Sequence, residues 1–210
     1  MTAPYAVQRL RLPESLHGEG AAEFLEFSEL TDAVERQIWG HEDRCSPAEF
    51  RLGVWRDTRY ELTSLFFVRD GGRMVARAWC QVPLKEDRDR AMVRSEVLDE
   101  HAGRGLGRLL LDAATEEARR YGRTLLNSFT EHPAGFGAVD LGAEGPDVVV
   151  PSTGAGALPA AARSVAFARA AGFELSQVER FSELVLAERE GRCRRLRRPR
   201  VGRCAGGAPR

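Results

Sequence analysis

The sequence has no run of about twenty apolar residues, so no membrane-spanning helix is expected. Its first residues lack the basic-then-apolar pattern of a secretory signal. The four cysteines, at 45, 80, 193 and 204, show no metal-type spacing, and a reduced, cytoplasmic setting is the expectation. His17, His41 and His132 have no partner in sequence that would assemble a metal site, and no metal is expected. No Ser-His-Asp or Cys-His arrangement can be argued. Tyrosine is scarce: only Tyr5, Tyr60 and Tyr121. Lysine is scarcer still: Lys85 stands alone, and arginine supplies nearly all the positive charge.

What is present is 210 residues, enough for one large domain with a sizeable core. The formal net charge of zero averages two unlike parts. Residues 189 to 210 hold nine arginines and one acid, Glu190, so residues 1 to 188 carry 22 bases against 30 acids. An acidic body argues against nucleic acid as its partner. The expected division is a folded domain over 1–188 and an Arg-rich, disordered tail over 189–210. The tail fits two readings: a frameshifted or divergent end, or a basic arm for RNA, a membrane or an acidic partner.

The chain reads in order as follows. Val7–Leu12 alternates and stops at Pro13, a short strand. Residues 19–39 carry a helical apolar pattern. Ser46-Pro-Ala-Glu49 predicts a helix start with a serine cap, running to about Asp57. Residues 62–69 and 74–83 flank Asp70-Gly-Gly-Arg73, a β-hairpin. Residues 91–98 predict a third strand of the same antiparallel sheet. A helix closing at Gly122 follows, and 124–130 predicts a strand parallel to the one before that helix. Residues 131–160 read as a long Gly-rich loop, either a binding segment or an insertion without a role. Pro159–Ala171 predicts a helix, and 173–178 with 181–186 a final hairpin. The class is α/β, with a mixed, mostly antiparallel sheet and flanking helices.

The densest signal is Asp99-Glu-His-Ala-Gly-Arg-Gly-Leu-Gly-Arg108 between a strand and an amphipathic helix. Glycines admit positive φ and close backbone approach. The first amides of a helix lack intrahelical partners and favour an anion. The β/α order is not the regular alternation of a dinucleotide fold, and the Lys-Ser/Thr end of a P-loop is missing.

The order and two motifs, His101–Arg108 after a strand and Ala166–Phe173 near the end, resemble the GNAT N-acetyltransferases over residues 7–187. The likeness is to one half of a double-domain member from high-GC bacteria. It implies the GNAT-like acyl-CoA fold, acetyl-CoA as cosubstrate, and an amine acceptor on a small molecule or a protein. It also implies either a homodimer or a second, missing domain. Carried over, the pyrophosphate falls to the amides of Gly103, Arg104, Gly105, Leu106, Gly107 and Arg108. The pantetheine and acyl carbonyl fall to the backbone of Val97, Leu98 and Asp99, and Asn127 matches a position near the cofactor. Arg104 and Arg108 add charge or are simply solvated.

Amine acylation needs a proton acceptor, a polarised carbonyl and an outlet for the thiolate. Glu96 is the first candidate base, with Glu100 and His101 as alternatives. Alternation puts Glu96 and Val97 on opposite faces. Two positions depart from the family pattern: Ala102 replaces an Arg or Gln, and Ala168 replaces a tyrosine that serves as general acid. The reading is therefore an acetyl-CoA-dependent N-acetyltransferase or, alternatively, a degenerate domain that binds CoA or serves as a scaffold or dimer partner.

Overall fold

The computed structural model describes residues 5–133 and 147–179. Five strands form one sheet in the order β1-β2-β3-β4-β5: Val7–Arg9, Glu61–Asp70, Arg73–Pro83, Arg90–Val97 and Leu125–Asn127. All neighbours are antiparallel except β4 and β5, which run parallel as the intervening helix requires. The hairpin turn is Gly71-Gly72 with φ of 58° and 90°, the two positive angles that a two-residue turn matched to strand twist demands. Among the described residues, four α-helices accompany the sheet: α1 (Ala21–Trp39), α2 (Ala48–Arg56), α3 (Leu106–Arg120) and α4 (Arg163–Ala170).

Strand alternation divides the core in two. Leu65 and Phe67 of β2 and Leu98 beyond β4 pack with Phe24, Phe27, Leu30 and Val34 of α1. Phe66, Val68, Ala78, Cys80 and Val93 turn the other way, onto Leu106, Leu110, Leu111 and Ala114 of α3. Full burial of such a side chain contributes about 1.5–3 kcal/mol, so these two stripes hold the layers together. Cys80 is core, as its apolar strand implies. Burial first, and the charge of Glu117 next, push its thiol up to about 12.

Several expectations are corrected. The cap of α2 is Pro47, without a side-chain hydrogen bond, so Ser46 does not cap it. The region 131–160 is not all loop: Val148–Val149 (β6) pairs antiparallel with Leu158–Pro159 (β7). The last helix begins at Arg163 rather than Pro159. Residues 173–178 form no strand. They lie against the Gly-rich segment instead: Ser152 N–H donates to Leu175 O at 3.3 Å. A Cβ at Gly156 would come within 2.9 Å of Val178 Cβ, so only glycine fits there. The expected strand 181–186, the boundary at 188 and the Arg-rich tail lie outside the described residues.

Candidate active site: the free edge of strand β4 and the glycine turn

β4 and β5 are in register only at Arg90–Leu125, Ala91–Leu126 and Met92–Asn127. β5 ends there, while β4 continues to Val97, paired only with β3. The two strands part at Asn127, which is exposed at the fork. Leu98 N–H donates to Val75 O at 3.0 Å, toward β3. By alternation Val97 O and Asp99 N–H point the other way, along the free edge. Gln37 of α1 meets them there: its Nε2 donates to Val97 O at 3.3 Å, and its Oε1 accepts from Asp99 N–H at 2.7 Å.

The edge leads through a short 3₁₀ turn, Asp99–His101, into the N-terminus of α3. Gly103 and Gly105 have φ of 73° and 81°, where side chains are strained. Nothing lies within 4 Å of a Cβ built at either, so the space above the turn is open. Gly105 caps α3 with no side-chain hydrogen bond. The first amides of the helix, at Leu106, Gly107 and Arg108, thus lack the intrahelical acceptors that later turns have. Gly107 differs from its neighbours. It is helical, and its Cβ would lie 3.5 Å from the Phe167 ring and 3.7 Å from Val97 Cγ2. Phe167 of α4 thereby seals the inner side of the turn.

The two arginines of the turn are occupied on this surface. Arg104 reaches Asp70 Oδ2 at 2.9 Å and Glu100 O at 3.1 Å. Arg108 pairs with Asp112 at 3.0 Å, one helical turn on. His101 Nδ1 lies 3.2 Å from Asp70 Oδ2, so it faces the β2–β3 turn rather than the fork. Asp99 meets Arg163 of α4 at 2.5 Å.

Glu96 sits on the α1 face, opposite Val97, as alternation requires. Its carboxylate contacts Arg77 Nη2 at 2.5 Å and Arg94 Nη2 at 2.6 Å. Both contacts are short but poorly aligned as hydrogen bonds. All three side chains are less than a tenth exposed. Around them stand Glu35 of α1, 3.9 Å from Arg77, and Glu131, 2.8 Å from Arg94. Arg77 also donates to Thr31 Oγ1 at 3.2 Å. Burial foremost, then the charge of Glu131, raises the Glu35 carboxyl above its ordinary range, with Arg77 opposing. Glu100 is exposed on the 3₁₀ turn, away from this cluster.

The sequence profile of the acetyltransferase (GNAT) family matches residues 27–141, more than half of the chain. The chain belongs to the GNAT family. No protein of curated function matches it. Among solved structures, a tandem GNAT protein from the clavulanic acid biosynthesis pathway is similar at 20% identity and a TM-score of 0.54. That likeness covers 80% of this chain, which spans only 43% of the tandem protein. An aminoglycoside acetyltransferase from an uncultured soil metagenomic sample is similar at 13% identity, with a TM-score of 0.55, 87% of this chain and 97% of its own. An aminoglycoside N-acetyltransferase solved with CoA gives 12% identity, a TM-score of 0.51, and 86% and 94% coverage. At these identities the likeness is one of fold.

The structure places the sequence-predicted residues along one stretch of backbone. Val97, Leu98 and Asp99 run directly into Gly103–Arg108, with Asn127 at the fork. Sequence reasoning missed Gln37, Asp70, Arg77, Arg94 and Glu131. Gln37 lies among Val34 and Ile38 on a core-facing part of α1, and an amide there was a usable signal. Among the described residues no group of three or more His, Cys, Asp or Glu could hold a metal ion, and no helix is long and apolar enough to cross a membrane.

Proposed function

We propose that this GNAT domain binds acetyl-CoA and transfers the acetyl group to an amine. One observation carries the reading: the free edge of β4 beyond Met92 leads without interruption into the uncapped N-terminus of α3. That is a track of backbone polar groups, first suited to amides and then to phosphates. The residues fit the cofactor at the turn, where Gly103 and Gly105 leave open space above the amides. Leu106, Gly107 and Arg108 would hold the pyrophosphate, and Val97 and Asp99 the pantetheine amides. Bound there, acetyl-CoA supplies an activated thioester.

On the protein's side, Glu96, next to Val97 on β4, would accept the amine's proton. To do so it must give up part of its contact with Arg77 or Arg94. This favours a second reading, a domain that retains CoA and has lost turnover; Ala168, in place of a phenol, points the same way. Likeness to a tandem protein of which this chain spans 43% supports a place as one half of a two-domain architecture. The body's acidic balance supports a cationic amine as the acceptor and speaks against nucleic acid as a partner, and the widely spaced cysteines support a reduced, cytoplasmic setting.

Titration calorimetry with acetyl-CoA tests the shared claim, and absence of binding at millimolar ligand sinks both readings. Thiol release over a panel of polyamines, aminoglycosides and peptide N-termini then separates them. Release above the hydrolysis background establishes transfer. Binding without release leaves the non-catalytic domain.

A further inference from the structure

The free rung of β4 has an occupant from the protein itself. The Gln37 carboxamide spans Val97 O and Asp99 N–H at 3.3 and 2.7 Å. An acceptor at one residue and a donor two residues on, along one edge, is what a strand offers a partner strand. A primary carboxamide carries the same donor and acceptor as a peptide group. Gln37 thus stands in for one rung of a missing strand. The pantetheine arm of acetyl-CoA contains two secondary amides with that same pair of groups.

We infer that Gln37 gates this edge: its carboxamide and a secondary amide of the ligand compete for Val97 O and Asp99 N–H. The inference rests on the reading of this edge as an acetyl-CoA site. Three features make the carboxamide displaceable. Gln37 is half-buried and lies in the last turn of α1, just before the left-handed cap at Gly40. Its contact to Val97 O is long for an N–H···O bond. Among the described residues, its side chain makes these two hydrogen bonds alone. As a staple it is redundant, since Phe24, Phe27, Leu30 and Val34 already fix α1 to the sheet.

The competition predicts that removing the carboxamide tightens acetyl-CoA. Gln37→Leu keeps the bulk of the side chain and loses both hydrogen-bonding groups; Gln37→Ala serves as the second variant. Calorimetry on the full chain compares acetyl-CoA with 3′-phospho-ADP, which keeps the phosphates and lacks the amides. The expected result is acetyl-CoA binding about tenfold tighter in both variants, the order of one hydrogen bond released from competition. Affinity for 3′-phospho-ADP stays the same. In the wild type, the Gln37 side-chain NH₂ resonances shift on saturation with acetyl-CoA. Binding by the variants alone supports the gate as well. Unchanged or weaker acetyl-CoA binding in folded variants overturns the gate and leaves the cofactor reading intact. No binding by wild type or variants overturns both.

Discussion

The two sides of β4 are built from opposite materials. On the α1 face the strand presents charged side chains, Arg94 and Glu96, that are closed off by Arg77 and Glu131. Along its free edge it presents backbone with no partner strand among the described residues, met at Val97 and Asp99 by the Gln37 carboxamide and continued by a turn with open space above Gly103 and Gly105. Side chains that could do chemistry are sequestered, and groups that can only bind are accessible. For a GNAT domain this contrast weighs binding of the cofactor above turnover. It also means that substitutions on the two sides should fail differently, one in folding and the other in ligand affinity.

The largest effect is expected at Glu96. Glu96→Gln leaves Arg77 and Arg94 without their shared carboxylate in a site less than a tenth exposed. Breaking a buried ion pair by removing one partner costs about 3–5 kcal/mol. Chemical denaturation should therefore show a loss of that order, before any assay of acyl transfer is meaningful. A variant as stable as the wild type, with transfer abolished, would instead make Glu96 a free base and undo the contrast.

Next comes Gly105→Ala on the open side. The space accepts a Cβ, but the φ of 81° does not, at a cost of about 1–2 kcal/mol. If the backbone relaxes toward negative φ, the first amides of α3 lose their common direction. Acetyl-CoA affinity should fall at least roughly tenfold, about 1.4 kcal/mol of binding free energy. Equal affinity in the variant would remove the turn from the binding site.

These two sites also show what could be read without coordinates. The hairpin, α3 and the parallel return of β5 follow from local patterns: a Gly-Gly turn, a helical apolar stripe and a crossover rule; the fork beyond Met92 does not, since the pattern predicts a strand over 124–130 and β5 ends at Asn127. The charges around Glu96 did not follow. They depend on the register Arg77–Glu96 across two strands joined by a charged loop, and on Thr31 and Glu35 of α1, about sixty residues away in sequence. Gln37 was legible as an amide on a core-facing stretch, but its partners Val97 and Asp99 were hidden for the same reason. The failed strand at 173–178 is a different case. Its pattern is apolar enough, but its carbonyls at Leu175 and Ser176 serve Ser152, so a loop rather than a strand is its partner.

A smaller effect, on the closed side, concerns pH. Burial holds the Glu35 carboxyl above its ordinary range in the folded chain. The folded state then keeps that proton to a higher pH than the unfolded state, and stability falls as pH rises through that window. Glu35→Gln cannot ionise and escapes the loss. The stability of Glu35→Gln relative to wild type should increase from roughly pH 4 to pH 7. A difference that is flat or shrinks over that range means that Arg77 compensates Glu35 fully at 3.9 Å.

The smallest effect is expected at Gly107, and it separates the three glycines that look alike in the sequence. Gly103 and Gly105 are required by their positive φ; Gly107 is an ordinary helical residue. Its Cβ would meet Phe167 and Val97 at 3.5 and 3.7 Å, which is van der Waals contact rather than collision. Alanine in place of a helical glycine gains up to about 1 kcal/mol from backbone entropy in a helix interior, and less in the first turn. The new methyl group faces Phe167 and Val97, while the Gly107 amide keeps its place in the first turn. Gly107→Ala should therefore be as stable as the wild type or slightly more so, with acetyl-CoA affinity within about twofold. A marked loss of affinity would mean that the ligand needs space beside Val97 that Phe167 now fills, and that α4 must shift before the free edge can be used.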